Sequence, residues 1–69
     1  MTHDYTRLVG RIYLVFGSKS KFADKMRMSR PTLDNKLSGK SDWTQSEIRK
    51  ASELLSIEKE DIPSFFFAD

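Results

Sequence analysis

At 69 residues, with no cysteine and a formal net charge of +2, the chain has room for one small domain and nothing to build a disulfide framework or a thiolate metal site. No apolar run reaches the about 20 residues of a membrane span, and the opening MTHDYTRLVGR lacks the basic-then-apolar order of a signal peptide. These features point to a soluble, cytoplasmic chain folded as a single domain over 1–69, with no membrane partner and a core made by helix packing.

The first helix is expected from about Asp4 to Phe16. Tyr5, Leu8, Val9, Ile12, Val15 and Phe16 recur at spacings of three and four, which draws one apolar stripe. Gly17 supplies the stop. The second helix is expected over Lys19 to Met26 with Ser18 as N-cap. Phe22, Ala23 and Met26 form its inner face, Ala23 lets the next helix cross closely, and Met28 fills the turn.

The third helix begins after Ser29, a good N-cap, with Pro31 in its first turn where a missing N–H costs nothing. Leu33 and Leu37 face inward and Gly39 ends the helix. The fourth has the clearest start, a Thr44–Glu47 capping box, with Trp43 before it placed to staple onto Ile48 or lie across the loop. Ile48, Ala51, Leu54 and Leu55 make its buried stripe. In the tail, a turn is expected at Glu58 to Asp61 and a short fifth helix or 3₁₀ segment from about Pro63 to Phe67. The fold class is therefore all-α, with about five short helices.

Charge divides the chain. Residues 17–40 hold seven basic and two acidic side chains, a net of +5, whereas residues 53–69 hold five acids and one lysine, a net of −4. A basic surface confined to two short helices and a tight turn suits nucleic-acid phosphates. The layout from Phe22 to Lys40 is that of a helix-turn-helix, whose second helix enters the major groove of double-stranded DNA. On that reading Arg30, Thr32, Asp34 and Asn35 meet base edges, with Lys36 at the margin. An arginine fork fits guanine and an asparagine amide fits adenine. Ser18, Lys19, Lys21, Lys40 and Ser41 are placed for phosphates, which set register rather than sequence preference. Asp34 is expected either to accept from a cytosine or to turn toward Arg30 and orient it.

Phe65, Phe66 and Phe67 span roughly 200° of a helix circumference. A core this small is expected to shelter one or two of them and leave the remainder for a protein interface, most economically with a second subunit in a homodimer. Catalysis is not expected. His3 is the single histidine, no nucleophile–base set is visible, and neither a metal nor a cofactor is implied.

The pattern F-A-x-x-M-x-M-S-R-x-T-L-x-x-K-L-x-G-K resembles the helix-turn-helix of phage Cro and repressor proteins within the Xre-like family. Phe22 and Ala23 stand where that family has Leu-Ala. Ser29, Arg30, Thr32 and Leu33 fit its Ser-Arg-x-Thr-Leu opening, and Leu37 and Gly39 fit its close. Arg27 replaces the frequent turn glycine and Lys19 the frequent glutamine. The resemblance covers about Leu8 to Leu55, and the Asp61-Ile62-Pro63 tail looks like small switch proteins of temperate phages of Gram-positive bacteria. It implies a lambda-repressor-like fold of five helices and a Cro-like regulator of an operator at the lytic–lysogenic switch. It also implies an alternative, an antirepressor or modulator of repression whose partner is the cognate phage repressor.

Overall fold

The computed structural model describes residues 5–67. Among them are five α-helices, no strand, and one 3₁₀ turn at Lys59–Asp61. The helices are α1 (Thr6–Phe16), α2 (Lys19–Met26), α3 (Arg30–Leu37), α4 (Gln45–Leu54) and α5 (Ile62–Phe66). The expected all-α class and the helix order hold. Helix α1 starts at Thr6, with Tyr5 as its N-cap residue. The expected start at Asp4 lies outside the described residues, as does His3.

Most of the apolar stripes read from the sequence meet in one buried cluster, although Val15, counted in the α1 stripe, is 45% exposed. Leu8 and Ile12 of α1, Phe22, Ala23 and Met26 of α2, Leu33 of α3, Ala51 of α4, then Leu55, Ile57 and the tail residues Phe65 and Phe66 make it up. Phe16, Met28, Leu37, Trp43 and Ile48 close its margins as half-buried side chains. Phe16 tilts against Phe22 with ring centroids 5.6 Å apart.

The N-termini of α2, α3 and α4 have the side-chain caps their sequence offers. Ser18 Oγ accepts from the Lys21 N–H at 3.2 Å and Ser29 Oγ from the Thr32 N–H at 3.3 Å. At α4 the Thr44 hydroxyl accepts from the Glu47 N–H at 3.2 Å while Glu47 accepts from the Thr44 N–H at 2.9 Å. This is the reciprocal box the sequence predicts.

The C-termini share a device that the sequence half conceals. Gly17 and Gly39 close α1 and α3 at φ of 81° and 85°. Helices α2 and α4 close in the same left-handed way, but on Arg27 at φ 60° and Ser56 at φ 54°. The Met28 N–H returns to the Ala23 carbonyl at 3.0 Å and the Ile57 N–H to the Ser52 carbonyl at 2.9 Å, the six-to-one bond of a Schellman ending. Both turns thus hold a side chain where glycine is unstrained. Ser56→Gly is expected to raise stability by up to about 1 kcal/mol, the relief of the left-handed strain less glycine's larger loss of chain entropy. A higher urea midpoint at unchanged slope is the expected reading, and a lower midpoint would show that Ser56 stabilises the turn it strains.

Arginine 11 fastens α1 to that turn. Its guanidinium donates to the Leu55 carbonyl at 2.9 Å and the Ser56 carbonyl at 3.3 Å, 44 and 45 residues away in sequence. The same group lies 5.2 Å from the centre of the Phe65 ring, and Arg7 lies 4.8 Å from it. Two cations against one aromatic ring help hold the C-terminal helix on α1. In the middle of α1, Gly10 has open space where a Cβ would stand, although glycine there costs about 1 kcal/mol relative to alanine.

Candidate functional site

Helices α2 and α3 with their turn form the surface to which the sequence assigns DNA contacts. Ser18 is spent as the α2 cap, while Lys19 is half-buried and Lys21 exposed just beyond it. Lys40 is exposed and Ser41 half-buried past the end of α3. Their amides fold back on the Asn35 carbonyl at 2.9 and 3.2 Å. The five residues expected at phosphates therefore fall in two groups, one at each flank of the α2–α3 unit.

The row expected to meet bases is engaged within the chain. One Arg30 nitrogen donates to Ser20 Oγ at 2.8 Å and another lies 3.6 Å from the Asp34 carboxylate. Both partners of that pair are close to half exposed, so it adds little stability. The pair turns the Asp34 carboxylate toward the guanidinium, and Ser20 takes one of the arginine's donors. Asp34 takes the orienting role expected of it. Thr32 accepts a 2.8 Å bond from the Ser29 hydroxyl. Asn35 and Pro31 remain as exposed side chains on the same helix.

Lys36 corrects the sequence reading. It is only 7% exposed. Its Nζ donates to the Asp42 carbonyl at 2.9 Å and lies 2.9 Å from Glu47 Oε1. The same nitrogen stands 6.0 Å from the centre of the Trp43 ring. A position one turn before Gly39 faces α4, so the lysine is drawn to the carboxylate that caps that helix. Burial alone would push the Glu47 carboxyl up. The Thr44 N–H and the Lys36 ammonium outweigh it and hold the group below the usual carboxylate range. Lys36 is thus a strut between α3 and α4, and the base-facing row loses a cation.

The aromatic tail corrects the reading in part. Phe65 and Phe66 are 4% and 2% exposed, which places them in the core rather than at an interface. Phe65 lies against Arg7 and Arg11, and Phe66 meets the edge of Trp43 at 5.3 Å and 77°. Trp43 therefore crosses to α5 and holds the tail. Only Phe67, 58% exposed, keeps the expected freedom to touch a partner. It stands at the rim of an open groove of about 600 Å³ between α4 and the tail, floored by Ile48, Ile57 and Ile62 and flanked by Arg49, Glu53 and Lys59. The sequence reading missed this groove and the roles of Ser20 and Arg11. Its one signal was the triple phenylalanine, whose third ring the core cannot accept.

Among the described residues no cluster of three or more His, Cys, Asp or Glu side chains could hold a metal ion. Nor is any helix among them long and apolar enough to cross a membrane. The profile of a family described as protein of unknown function (DUF739) matches residues 1–69. The chain belongs to that family. This DUF739 protein is also similar to the solution structure of the modulator of repression (MOR) of the temperate bacteriophage TP901-1 from Lactococcus lactis. The two are 39% identical with a TM-score of 0.84, over 97% of this chain and 90% of the other. Among curated proteins no match was found.

Proposed function

We propose that this DUF739 protein is a modulator of repression in a temperate phage. It acts in the host cytoplasm, as a single domain and by binding alone. Its partner is the cognate repressor protein, whose hold on the operator it alters, and it does not read the operator by itself. One observation carries this reading. Arg30, the best candidate for a guanine contact, is already hydrogen-bonded to Ser20 and faces the Asp34 carboxylate at 3.6 Å, and Lys36 is withdrawn into the α3–α4 strut. An α3 that presents Pro31, Asn35 and the Arg30–Asp34 pair offers little to bases and is compatible with a protein surface. The similarity to the TP901-1 modulator supports the same choice. Phe67 and its groove are the apolar anchor of the proposed contact, since a half-exposed aromatic beside an open pocket is where binding energy concentrates.

A second reading, a Cro-like regulator of the Xre-like family bound to operator DNA as a homodimer, is favoured by the flanks. Lys19 and Lys21 stand at the capped start of α2, and Lys40 and Ser41 at the far end, as phosphate contacts would require.

A gel shift on the DNA adjoining the gene, with the cognate repressor present and absent, separates the two. The modulator reading expects no sequence-specific shift by this protein alone and a changed shift when repressor is added. Specific retardation by this protein alone, weakened by about 1–3 kcal/mol in Arg30→Ala, would replace it with the Cro-like reading.

A further inference from the structure

Phe67 is a wall shared by two depressions. One is the groove between α4 and the tail. The other is a smaller cavity of about 270 Å³ lined by Tyr5, Asp42, Trp43, Phe66 and Phe67. Four of these residues are aromatic and the fifth is a carboxylate. Tyr5 and Phe66 are buried and Trp43 half-buried, so the core holds these rings in place, whereas Asp42 is exposed. The Asp42 carbonyl accepts from Lys36, but its carboxylate has no hydrogen bond or ion pair among the described residues. Lys36, which stands 6.0 Å from the centre of the Trp43 ring, is matched to Glu47 instead. A carboxylate without a counter-ion beside an aromatic cavity selects a cation. The rings attract it through their quadrupoles, and the carboxylate supplies the opposite charge. The cavity is smaller than the roughly 300–1,000 Å³ of small-molecule sites, which suits one side chain better than a free ligand.

We infer that this cavity takes an arginine side chain of the partner protein. Arginine fits better than lysine for two reasons. Its guanidinium is planar and weakly hydrated, so it stacks on rings at little desolvation cost, and it can give two parallel hydrogen bonds to one carboxylate. The inference rests on the modulator reading for the identity of the partner, and it deepens that reading. Through Phe67 the cavity is continuous with the proposed apolar anchor, so one partner surface can cover both. The groove then supplies apolar burial, and Asp42 supplies the choice of charge. DNA has no such group to offer, because Asp42 repels its phosphates.

Calorimetric titration of the full chain with the cognate repressor tests this. Asp42→Asn keeps the side-chain size and the main-chain carbonyl to which Lys36 donates. It should leave the melting temperature unchanged and weaken repressor binding by about tenfold. Asp24→Asn removes the same charge from an exposed position on α2 and should bind as the wild type does. Among arginine-to-glutamine variants of the repressor surface, one should lose affinity non-additively with Asp42→Asn. Normal binding by Asp42→Asn, equal losses in the two asparagine variants, or strict additivity with every repressor arginine overturns the inference. A second measurement needs no repressor. Trp43 is the single tryptophan, so its fluorescence reports on the cavity. N-acetyl-arginine amide should change it saturably in the millimolar range, its uncharged citrulline analogue should act more weakly, and Asp42→Asn should remove the difference. Equal responses to the two probes overturn arginine recognition even where the repressor binds. A wild-type chain that ignores the repressor yet prefers the arginine probe would sink the modulator reading and uphold the chemistry of the cavity.

Discussion

Phe66→Ala is expected to leave the chain largely unfolded at physiological temperature, while Phe67→Ala, one residue on, keeps the fold and loses the partner. Phe66 is almost wholly enclosed and is the ring against which Trp43 packs edge-on. Removing such a side chain costs about 3–5 kcal/mol from lost burial and the cavity left behind. A single core in a chain this short rarely supplies more than about 3–5 kcal/mol in total, so the substitution consumes the whole margin. Phe67 is mostly in water, and its truncation should change stability by less than about 1 kcal/mol. Its expected effect is on the repressor complex, weakened by about 2 kcal/mol if it is the anchor of the groove. Thermal melting followed by circular dichroism and calorimetric titration with repressor measure the two quantities. Unchanged repressor affinity in a folded Phe67→Ala chain would remove the tail from the interface.

Lys36→Ala is expected to destabilise by about 1–3 kcal/mol and to leave partner affinity unchanged in whatever fraction stays folded. The loss has two sources, an Asp42 carbonyl without its donor and a Glu47 carboxylate without its cation. Glu47 keeps partial access to water, which holds the cost below that of breaking a fully buried pair. The same pair sets a pH dependence. Because the folded state lowers the Glu47 pKa, the carboxylate stabilises the fold above its ordinary pKa, and that stability is lost as pH falls through the lowered folded value. Glu47→Gln should flatten the acid limb of a stability profile, and Lys36→Ala should flatten part of it. A steep acid limb surviving both changes would place the responsible carboxyl elsewhere. A partner affinity that fell in folded Lys36→Ala protein would return Lys36 to the binding surface.

Local rules made the helices legible. Caps at Ser18, Ser29 and Thr44, and apolar spacings of three and four, are signals contained within one helix; the caps appear where the sequence puts them, and so does the apolar stripe of α1 apart from Val9 and the exposed Val15. The α2 ending was visible only through the resemblance that marks Arg27 as a glycine's place. The α4 ending on Ser56 left no mark, because serine does not advertise a left-handed backbone. At the candidate site the failures share a cause. Lys36 looks like any cation on a polar helix until α4 brings Glu47 beside it from 11 residues away. Phe65 and Phe66 look surplus to a small core until Arg7, Arg11 and Trp43 cover them. Arg30 faces the Asp34 partner the sequence expects, yet Ser20 came from the neighbouring helix. Periodicity tells which way a residue faces and not what it meets there.

The tight left-handed endings bear on timing. They let α1 hand over to α2, and α2 to α3, within two and three residues, and the α4 ending starts the short return to the tail. With such short links, much of what a helix packs against lies near it along the chain, apart from the clasp of α5 on α1 and the packing of α4 on α2. Chains of that topology reach their native state in microseconds to milliseconds. Translation, at about 5–20 residues per second, takes far longer. A chain made this way is folded almost as soon as its last residue leaves the ribosome, so the delay before it can act is set by synthesis and not by folding.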